Sequence, residues 1–420
     1  VDGQWRTVWA VDGAETLEEQ KTDARTAKPD PQWPRLGADG ARSCQICGAR
    51  LTLTLIDLGY APCASAVVVP EQDARADTRY PLHARVCQTC WLVQTDPVLT
   101  PRELYPADFA RLSSLSDTRL AEARDFAADI CAALGLAPGD QVVEIGSNDG
   151  YLLRWFRQRG LAVLGIDPSA RAGLEAAGSG VPTLTEFFDA RTGARLGARL
   201  RREGRAPRLV VALNVLTRVP DLSGFLSGVA DLMPPDGVFA AEVPHLQSVL
   251  AEGRFDLIRH EHFTCLSLLS VEVAARRAGL RVVAAELRGR FDQTLRFLAV
   301  PAASDRGEDP SVAQLRDRER AARLDHADTY AAFTLRAESI RAGLMEFLTL
   351  AQETGRRVAA YGAAGKGSAL LNYCAIGPDL ILACADRNPA KHGTLMPGSR
   401  IPVVAPSALR DMRPDYVLIL

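Results

Sequence analysis

Net charge is nearly missing from this chain: 49 lysines and arginines stand against 51 aspartates and glutamates, a formal −2 over 420 residues. That balance excludes the basic face that nucleic acid or an anionic membrane surface would need. Missing too are apolar runs of membrane-span length and any secretory leader pattern. The expectation is a soluble, cytoplasmic protein, a monomer or homodimer, with no nucleic-acid or membrane partner. Lysine is scarce beside arginine, which reads as a high-GC genome before it reads as phosphate binding. Disulfides are not expected in a reducing compartment, so the nine cysteines need another reason.

Four of them have one. Cys44-Gln-Ile-Cys47 and Cys87-Gln-Thr-Cys90 form two C-x2-C hooks, and two hooks complete a four-sulfur zinc site. Four thiolates leave no open coordination position, so the ion is structural. It staples a segment too small to bury a sufficient core alone. Cys63, Cys131, Cys265, Cys374 and Cys384 lack partners at ligand spacing and read as core packing.

The length exceeds what one core supports, so two or three domains are expected. Residues 1–40 hold no sustained periodicity and read as a tail or flexible arm. Residues 41–115 are the zinc module. From Ser116 to Leu136, Leu120, Ala123, Phe126, Ala127, Ile130 and Leu134 recur at helical spacing. Strands then alternate with helices: 141–145, 162–166, 208–214, a helix over 220–233, and 238–243. That alternation predicts a doubly wound parallel sheet in an α/β domain over 116–303. Strands 280–287 and 293–300 are expected as an antiparallel edge pair. Charged helices over 304–330 and 331–354 connect to a second, smaller α/β unit at 355–420. Its strand 357–361 leads through the turn 362–367 into a helix from Ser368, with further strands at 381–386 and 416–420.

The sequence Glu144-Ile-Gly-Ser-Asn-Asp-Gly150 closes the first strand and opens a helix at Tyr151. An acidic strand end, a glycine-bearing turn and a helix start make a nucleotide-cofactor site. Asp167 ends the next strand, where ribose hydroxyls are gripped. The turn has too few glycines for a dinucleotide fingerprint, and Glu144 would repel a pyrophosphate. Both points favour S-adenosylmethionine over NAD. The second turn, Gly362-Ala-Ala-Gly-Lys-Gly-Ser368, lacks the phosphate-loop spacing, which argues against ATP hydrolysis.

These parts, in this order, resemble the bacterial deoxysugar C-methyltransferases. The resemblance runs from about residue 41 to 420. It is carried by CQICG at 44–48, DLG at 57–59, YPL at 80–82, CQTCWLVQ at 87–94, EIGSNDG, IDPS at 166–169 and the stretch from Asn214. Phe255-Asp-Leu-Ile-Arg-His-Glu-His-Phe263 matches the HEH-type motif, and YGAAGKGSALLNY at 361–373, Asp386, Lys391 and MPG at 396–398 match the C-terminal domain. The resemblance implies a zinc module, a class I methyltransferase sheet and a Rossmann-like C-terminal domain. It also implies S-adenosylmethionine held by Glu144, Gly146, Ser147, Asn148, Asp167 and Asn214. In that family a histidine deprotonates the carbon next to a 4-keto group, and the enolate takes the methyl. The matching position is His262, with Glu261 orienting it or stabilising charge; imidazole titrates near neutral pH. The C-terminal domain lies over the sugar nucleotide, where Lys366 and Ser368 are expected at its phosphates. His260 and His262, two residues apart, would share one face of a strand and admit a metal, although a third ligand is not evident.

The chain departs from that pattern at several substrate-facing positions together. Arg259 replaces a tyrosine, Arg218 a histidine, and Phe109 and Arg111 stand where tyrosines precede the first helix. Phe291-Asp-Gln-Thr-Leu-Arg296 replaces a His-Gly-Gly-x-Leu-Arg turn, leaving Arg296 as a substrate-side residue. If Arg111, Arg218 and Arg259 converge, they offer planar forks to a carboxylate, phosphate or enolate oxygen. The leading expectation is an S-adenosylmethionine-dependent C-methyltransferase acting on a keto-deoxysugar nucleotide or a related natural-product intermediate. The alternatives are the same scaffold turned to epimerisation, reduction, cyclisation or rearrangement, and a non-catalytic sugar-nucleotide-binding partner.

Overall fold

The computed structural model of the protein describes residues 42–66, 68–70, 78–105, 112–289 and 293–420. The expected arm at 1–40 and the candidates Phe109, Arg111, Phe291 and Asp292 lie outside the described residues. Among the described residues no helix is long and apolar enough to cross a membrane.

Three strands follow the first cysteine hook: β1 (Leu53–Pro62), β2 (Arg79–Val86) and β3 (Val93–Thr95). A short α1 (Pro101–Leu104) carries a capping box from Thr100 and Glu103, and α2 (Asp117–Leu134) starts at its Ser116 cap. The apolar stripe read from the sequence is the buried face of α2: Ala123, Phe126, Ala127, Ile130 and Leu134. Next come β4 (Gln141–Ile145), α3 (Leu153–Gln158), β5 (Ala162–Ile166), α4 (Ala170–Gly178), β6 (Thr183–Leu184), α5 (Ala190–Arg202) and β7 (Pro207–Leu213). The run continues with α6 (Leu222–Leu232), β8 (Val238–Pro244), α7 (Leu246–Glu252), β9 (Thr264–Cys265), α8 (Leu268–Arg277), β10 (Leu280–Arg288) and β11 (Thr294–Pro301).

The central sheet has seven strands in the order β10-β11-β8-β7-β4-β5-β6. Neighbours from β8 to β6 pair in parallel, while β11 runs antiparallel to both β10 and β8. Every residue of β4 is buried, as a strand covered on both faces requires. Val143 and Ile145 pack towards residues of α5, α6 and α8, and Val142 packs towards α2 and α3. Strand order reverses between β4 and β7, which opens a crevice at their carboxyl ends.

Beyond the sheet, α9 (Pro310–Ala321) and α10 (Ala327–Glu353) form the connector. The break falls at 322–326, earlier than the expected 330, with Arg323 in the left-handed region at φ +58°. The last unit comprises β12 (Val358–Tyr361), α11 (Gly365–Tyr373), β13 (Cys384–Ala385), β14 (Val403–Val404), α12 (Pro406–Met412) and β15 (Tyr416–Ile419). Its sheet, ordered β14-β13-β12-β15, is parallel throughout.

Two helix starts differ from the sequence reading. The helix after the cofactor turn begins at Leu153, because Tyr151 and Leu152 still belong to the turn. The helix of the C-terminal unit begins at Gly365, three residues before Ser368, so Lys366 lies inside it. The zinc module is also less separate than expected. Its sheet, ordered β1-β2-β3-β9, takes its last strand from the central domain.

Candidate active site and zinc cluster

The four hook cysteines meet: their sulfurs all lie within 4.8 Å of one another. Cys44 Sγ is 3.5 Å from Cys90 Sγ, and Cys47 Sγ is 3.4 Å from Cys87 Sγ. Each hook is a tight turn. Gly48 N–H donates to Cys44 O at 2.9 Å, Trp91 N–H to Cys87 O at 2.8 Å, and both donor residues have positive φ. Thr89 N–H points at Cys87 Sγ from 3.4 Å, a donor that favours thiolate. Four largely buried sulfurs with no fifth donor in the group fit a closed, structural zinc site. Gln45 ties this corner to the central domain: Leu222 N–H donates to its Oε1 at 3.1 Å and Ser223 Oγ to its O at 3.0 Å.

At the crevice, the residues 146–150 turn the chain from β4 into α3. Gly146 and Gly150 both have φ +74°, and Asn148 has φ +50°. A Cβ built on Gly146 would lie 2.5 Å from Val215 Cγ2, so the turn must be bare there. Asp167, at the end of β5, holds the turn: its Oδ2 accepts from Asn148 N–H and its Oδ1 from Ser169 N–H, each at 2.9 Å. Asn148 Oδ1 accepts from Ser113 N–H at 2.8 Å and Asp149 Oδ2 from Ser114 N–H at 3.0 Å, fixing the segment before α2 against the turn. Glu144, Ser147 and Asp149 are buried, and Glu144 Oε2, Ser147 Oγ and Asp149 Oδ1 have no hydrogen-bond partner. Burial pushes the Glu144 carboxyl well up, and Asp167 and Asp149 add to the rise. Burial raises Asp167 as well, against the two backbone N–H donors. Asn214, exposed beyond β7 at φ +57°, donates its N–H to Glu242 O at 2.8 Å.

The turn after β7 links this crevice to the histidine segment. Val215 closes over Gly146, while Phe263 N–H donates to Thr217 O at 2.7 Å and Thr264 Oγ1 to Leu216 O at 3.3 Å. His260 and Glu261 lie in a turn, so the expected strand face for two histidine ligands does not form. Among the described residues no third ligand joins that pair. Arg259, His260, Glu261 and His262 are all buried. His262 Nδ1 is 2.9 Å from Leu257 O, and Arg259 Nη2 is 2.9 Å from His262 Nε2. Burial lowers the Arg259 guanidinium, with Glu261 opposing. The Glu261 carboxyl is held below its ordinary value: burial raises it, but Arg259, the Ser65 hydroxyl and Arg218 prevail.

Arg218 and Arg259 do converge on Glu261, and a residue missed in the sequence joins them. Arg218 Nη1 donates to Tyr105 Oη at 3.0 Å, and Tyr105 Oη donates to Glu261 O at 3.2 Å. A tyrosine thus stands between α1 and α2, just ahead of the segment that holds Phe109 and Arg111. Cys63, expected as packing, faces the same carboxylate, its Sγ 3.7 Å from Glu261 Oε1, and burial beside Glu261 pushes its thiol up to about 12. Lys366 is half-buried in α11 near Arg254, Arg259 and Arg119, with Asp256 opposing them; burial and those cations lower it. Ser368 and Asn372 of α11, His260 and Arg259, and Tyr60 of β1 line a small, partly open cleft. Arg296 is not there. It pairs with Glu242 across β8 at 2.5 Å, reaches Glu286, and lies over the Phe126 ring at 4.7 Å.

A zinc binding domain model matches residues 44–105, a methyltransferase domain model 117–285, and a C-methyltransferase C-terminal domain model 294–420. C-methyltransferase NovU of Streptomyces niveus is 36% identical over 378 residues, 90% of this chain and 89% of the relative. The chain belongs to the C-methyltransferases. Among solved structures, the PH0226 protein of Pyrococcus horikoshii OT3 is 16% identical, covering 48% of this chain and 97% of its own at a TM-score of 0.36. The magnesium protoporphyrin IX methyltransferase of Synechocystis PCC 6803 with bound SAH is 19% identical, covering 44% and 84% at 0.35. As a C-methyltransferase the chain uses S-adenosylmethionine. The crevice fits it: three unpartnered buried polar atoms on an acidic turn would repel a pyrophosphate and suit a ligand carrying ammonium and sulfonium charge.

Proposed function

We propose that this C-methyltransferase acts on the carbon beside the keto group of a nucleotide-activated keto-deoxysugar, through an enolate. The reading is carried by the meeting of Arg218, Tyr105, Arg259 and Glu261 next to the turn that closes the cofactor crevice. Carbon becomes a nucleophile only after losing a proton, and a side chain of the 259–262 turn takes it. The guanidiniums of Arg218 and Arg259 supply positive charge where an enolate oxygen develops. Glu144, Gly146, Ser147, Asn148 and Asp167 hold S-adenosylmethionine, which supplies an electrophilic methyl group; Asn214 borders it. Lys366, Arg254 and Arg119 form a cationic group suited to a diphosphate, with Ser368 in the adjoining cleft. Arg111 is retained on the substrate side from the sequence alone, and Arg296 supports the sheet beside the crevice. The domains would divide as zinc module 41–115, S-adenosylmethionine-binding domain 116–303, helical connector 304–354 and C-terminal Rossmann-like domain 355–420.

Mass spectrometry of keto-sugar nucleotides incubated with the protein and S-adenosylmethionine tests this. A methyl mass gain on carbon, with S-adenosylhomocysteine formed, is the expected result. Methyl gain on an oxygen or nitrogen acceptor overturns the enolate reading.

A further inference from the structure

We propose that Glu261, not a histidine, is the base that removes the carbon-bound proton. This rests on the enolate reading above. His262 has both ring nitrogens engaged. Leu257 O can only accept, so Nδ1 carries the hydrogen, and Nε2 is the nitrogen with the lone pair. Arg259, which can only donate, occupies that lone pair at 2.9 Å. A base in this state would have to expel a cation's N–H before accepting a proton.

His260 faces elsewhere. Its ring lies 6.0 Å from that of Tyr80, near the Tyr80 and Pro81 carbonyls, and it lines the cleft shared with α11. None of the residues lining that cleft comes from the cofactor turn. Glu261 lies between these histidines, 1% exposed. Its Oε1 meets Cys63 Sγ, and its Oε2 has no hydrogen-bond partner. A buried carboxylate oxygen with nothing donating to it is costly to keep, and it leaves Glu261 a lone pair open to accept a proton. Carboxylates act as bases beside a carbonyl when the developing oxyanion is stabilised. Arg218 and Arg259 are the groups that do so here.

The step balances without a further reactant. The substrate C–H bond breaks and its proton forms an O–H bond on Glu261 Oε2. The C–H electron pair becomes the carbon–carbon π bond, and the carbonyl π pair moves onto oxygen. The negative charge passes from Glu261 to the enolate, and Glu261 later returns its proton to water.

Among the described residues, the charged and titratable groups around Glu261 include Arg259, His260 and His262 on its own turn, Arg218 after β7, Tyr105 after α1, and Cys63 after β1. Burial keeps Cys63 and Tyr105 protonated near neutral pH, and Arg218 stays charged. Glu261 is held ionised, so its proton uptake should be independent of pH until the solution falls below the ordinary carboxylate value of 4.5. A histidine base would instead lose activity through about pH 6.5.

The test is deuterium uptake in D2O by a thymidine-diphosphate 4-keto-6-deoxyhexose, with the zinc-loaded full chain and S-adenosylhomocysteine, so that no methyl is transferred. We expect wild-type uptake to be flat from about pH 6 to 8. Glu261→Gln should lose about 100-fold or more of it, with S-adenosylhomocysteine affinity unchanged. His262→Gln should keep uptake within about tenfold and the same pH profile. Should Glu261→Gln misfold, Glu261→Asp replaces it, with slowed uptake but no new limb near neutral pH. An acid limb near about pH 6.5 that disappears in His262→Gln overturns the proposal and leaves the enolate reading standing. Wild-type protein showing neither uptake nor, with S-adenosylmethionine, methyl gain overturns the keto-sugar reading and this proposal with it.

Discussion

Gly146 shows how much a single position decides. With φ +74° and Val215 2.5 Å from where a Cβ would stand, Gly146→Ala meets both backbone strain and a clash. We expect a stability loss of at least about 1 kcal/mol and weakened S-adenosylmethionine binding, read by thermal melting and calorimetric titration. Glu144 makes the opposite trade. Its carboxyl is raised in the folded protein by burial and by Asp167 and Asp149. A raised acid binds a proton more tightly when folded. Its stabilising contribution is therefore present below the ordinary value of 4.5 and lost as pH rises through the folded value. Glu144→Gln should thus raise the stability of the ligand-free protein at pH about 8. The gain should vanish in acid, and cofactor binding should suffer. Equal urea midpoints of the two proteins at alkaline pH would contradict this.

Two elements of two and three residues carry the link between metal and chemistry. β3 begins just after the second hook and pairs with β9, which begins just after His262. Thr95 completes the join: its Oγ1 donates to His262 O at 2.9 Å and its N–H to Phe263 O at 3.0 Å. The sheet that carries the cysteine hooks is thereby hydrogen-bonded to the end of the turn that holds Glu261. Thr95→Val leaves the His262 carbonyl short of a donor, at a cost of about 1–3 kcal/mol. It should lower turnover more than cofactor affinity, since the cofactor turn sits on β4 and β5. Stripping zinc with a chelator should act in the same direction and more strongly. Metal analysis should find one zinc per chain, and the stripped protein should melt at lower temperature while zinc, not magnesium, restores it.

Across the molecule, the connector is more than a spacer. Glu319 of α9 and His245 before α7 are both fully buried, 2.8 Å apart. Glu319 also accepts the N–H groups of Leu268 at 2.6 Å and Leu269 at 2.9 Å, capping α8. Removing one partner of such a pair is expensive, so Glu319→Ala should cost about 3–5 kcal/mol in chemical denaturation.

The sequence by itself determined what depends on local spacing. Two C-x2-C hooks are enough to specify four sulfurs for one ion. Apolar runs bounded by turns placed β4 and β5 to the residue, and the order of strands and helices fixed a doubly wound sheet. Gly146 and Gly150 were legible because only a turn of positive φ needs them. What the tertiary structure decided is which side chains share lone pairs. Tyr105, Arg218 and Glu261 are far apart along the chain, and nothing in their local sequence announces a meeting. The β8–β11 register sets Arg296 opposite Glu242, a pairing that no local motif announces. The 2.9 Å approach of Arg259 Nη2 to His262 Nε2 is likewise a product of the folded turn and not of the motif's spelling. Spacing encodes backbone geometry, which recurs within a few residues; hydrogen-bond ownership is settled by long-range packing, and the chemistry of this protein lives there.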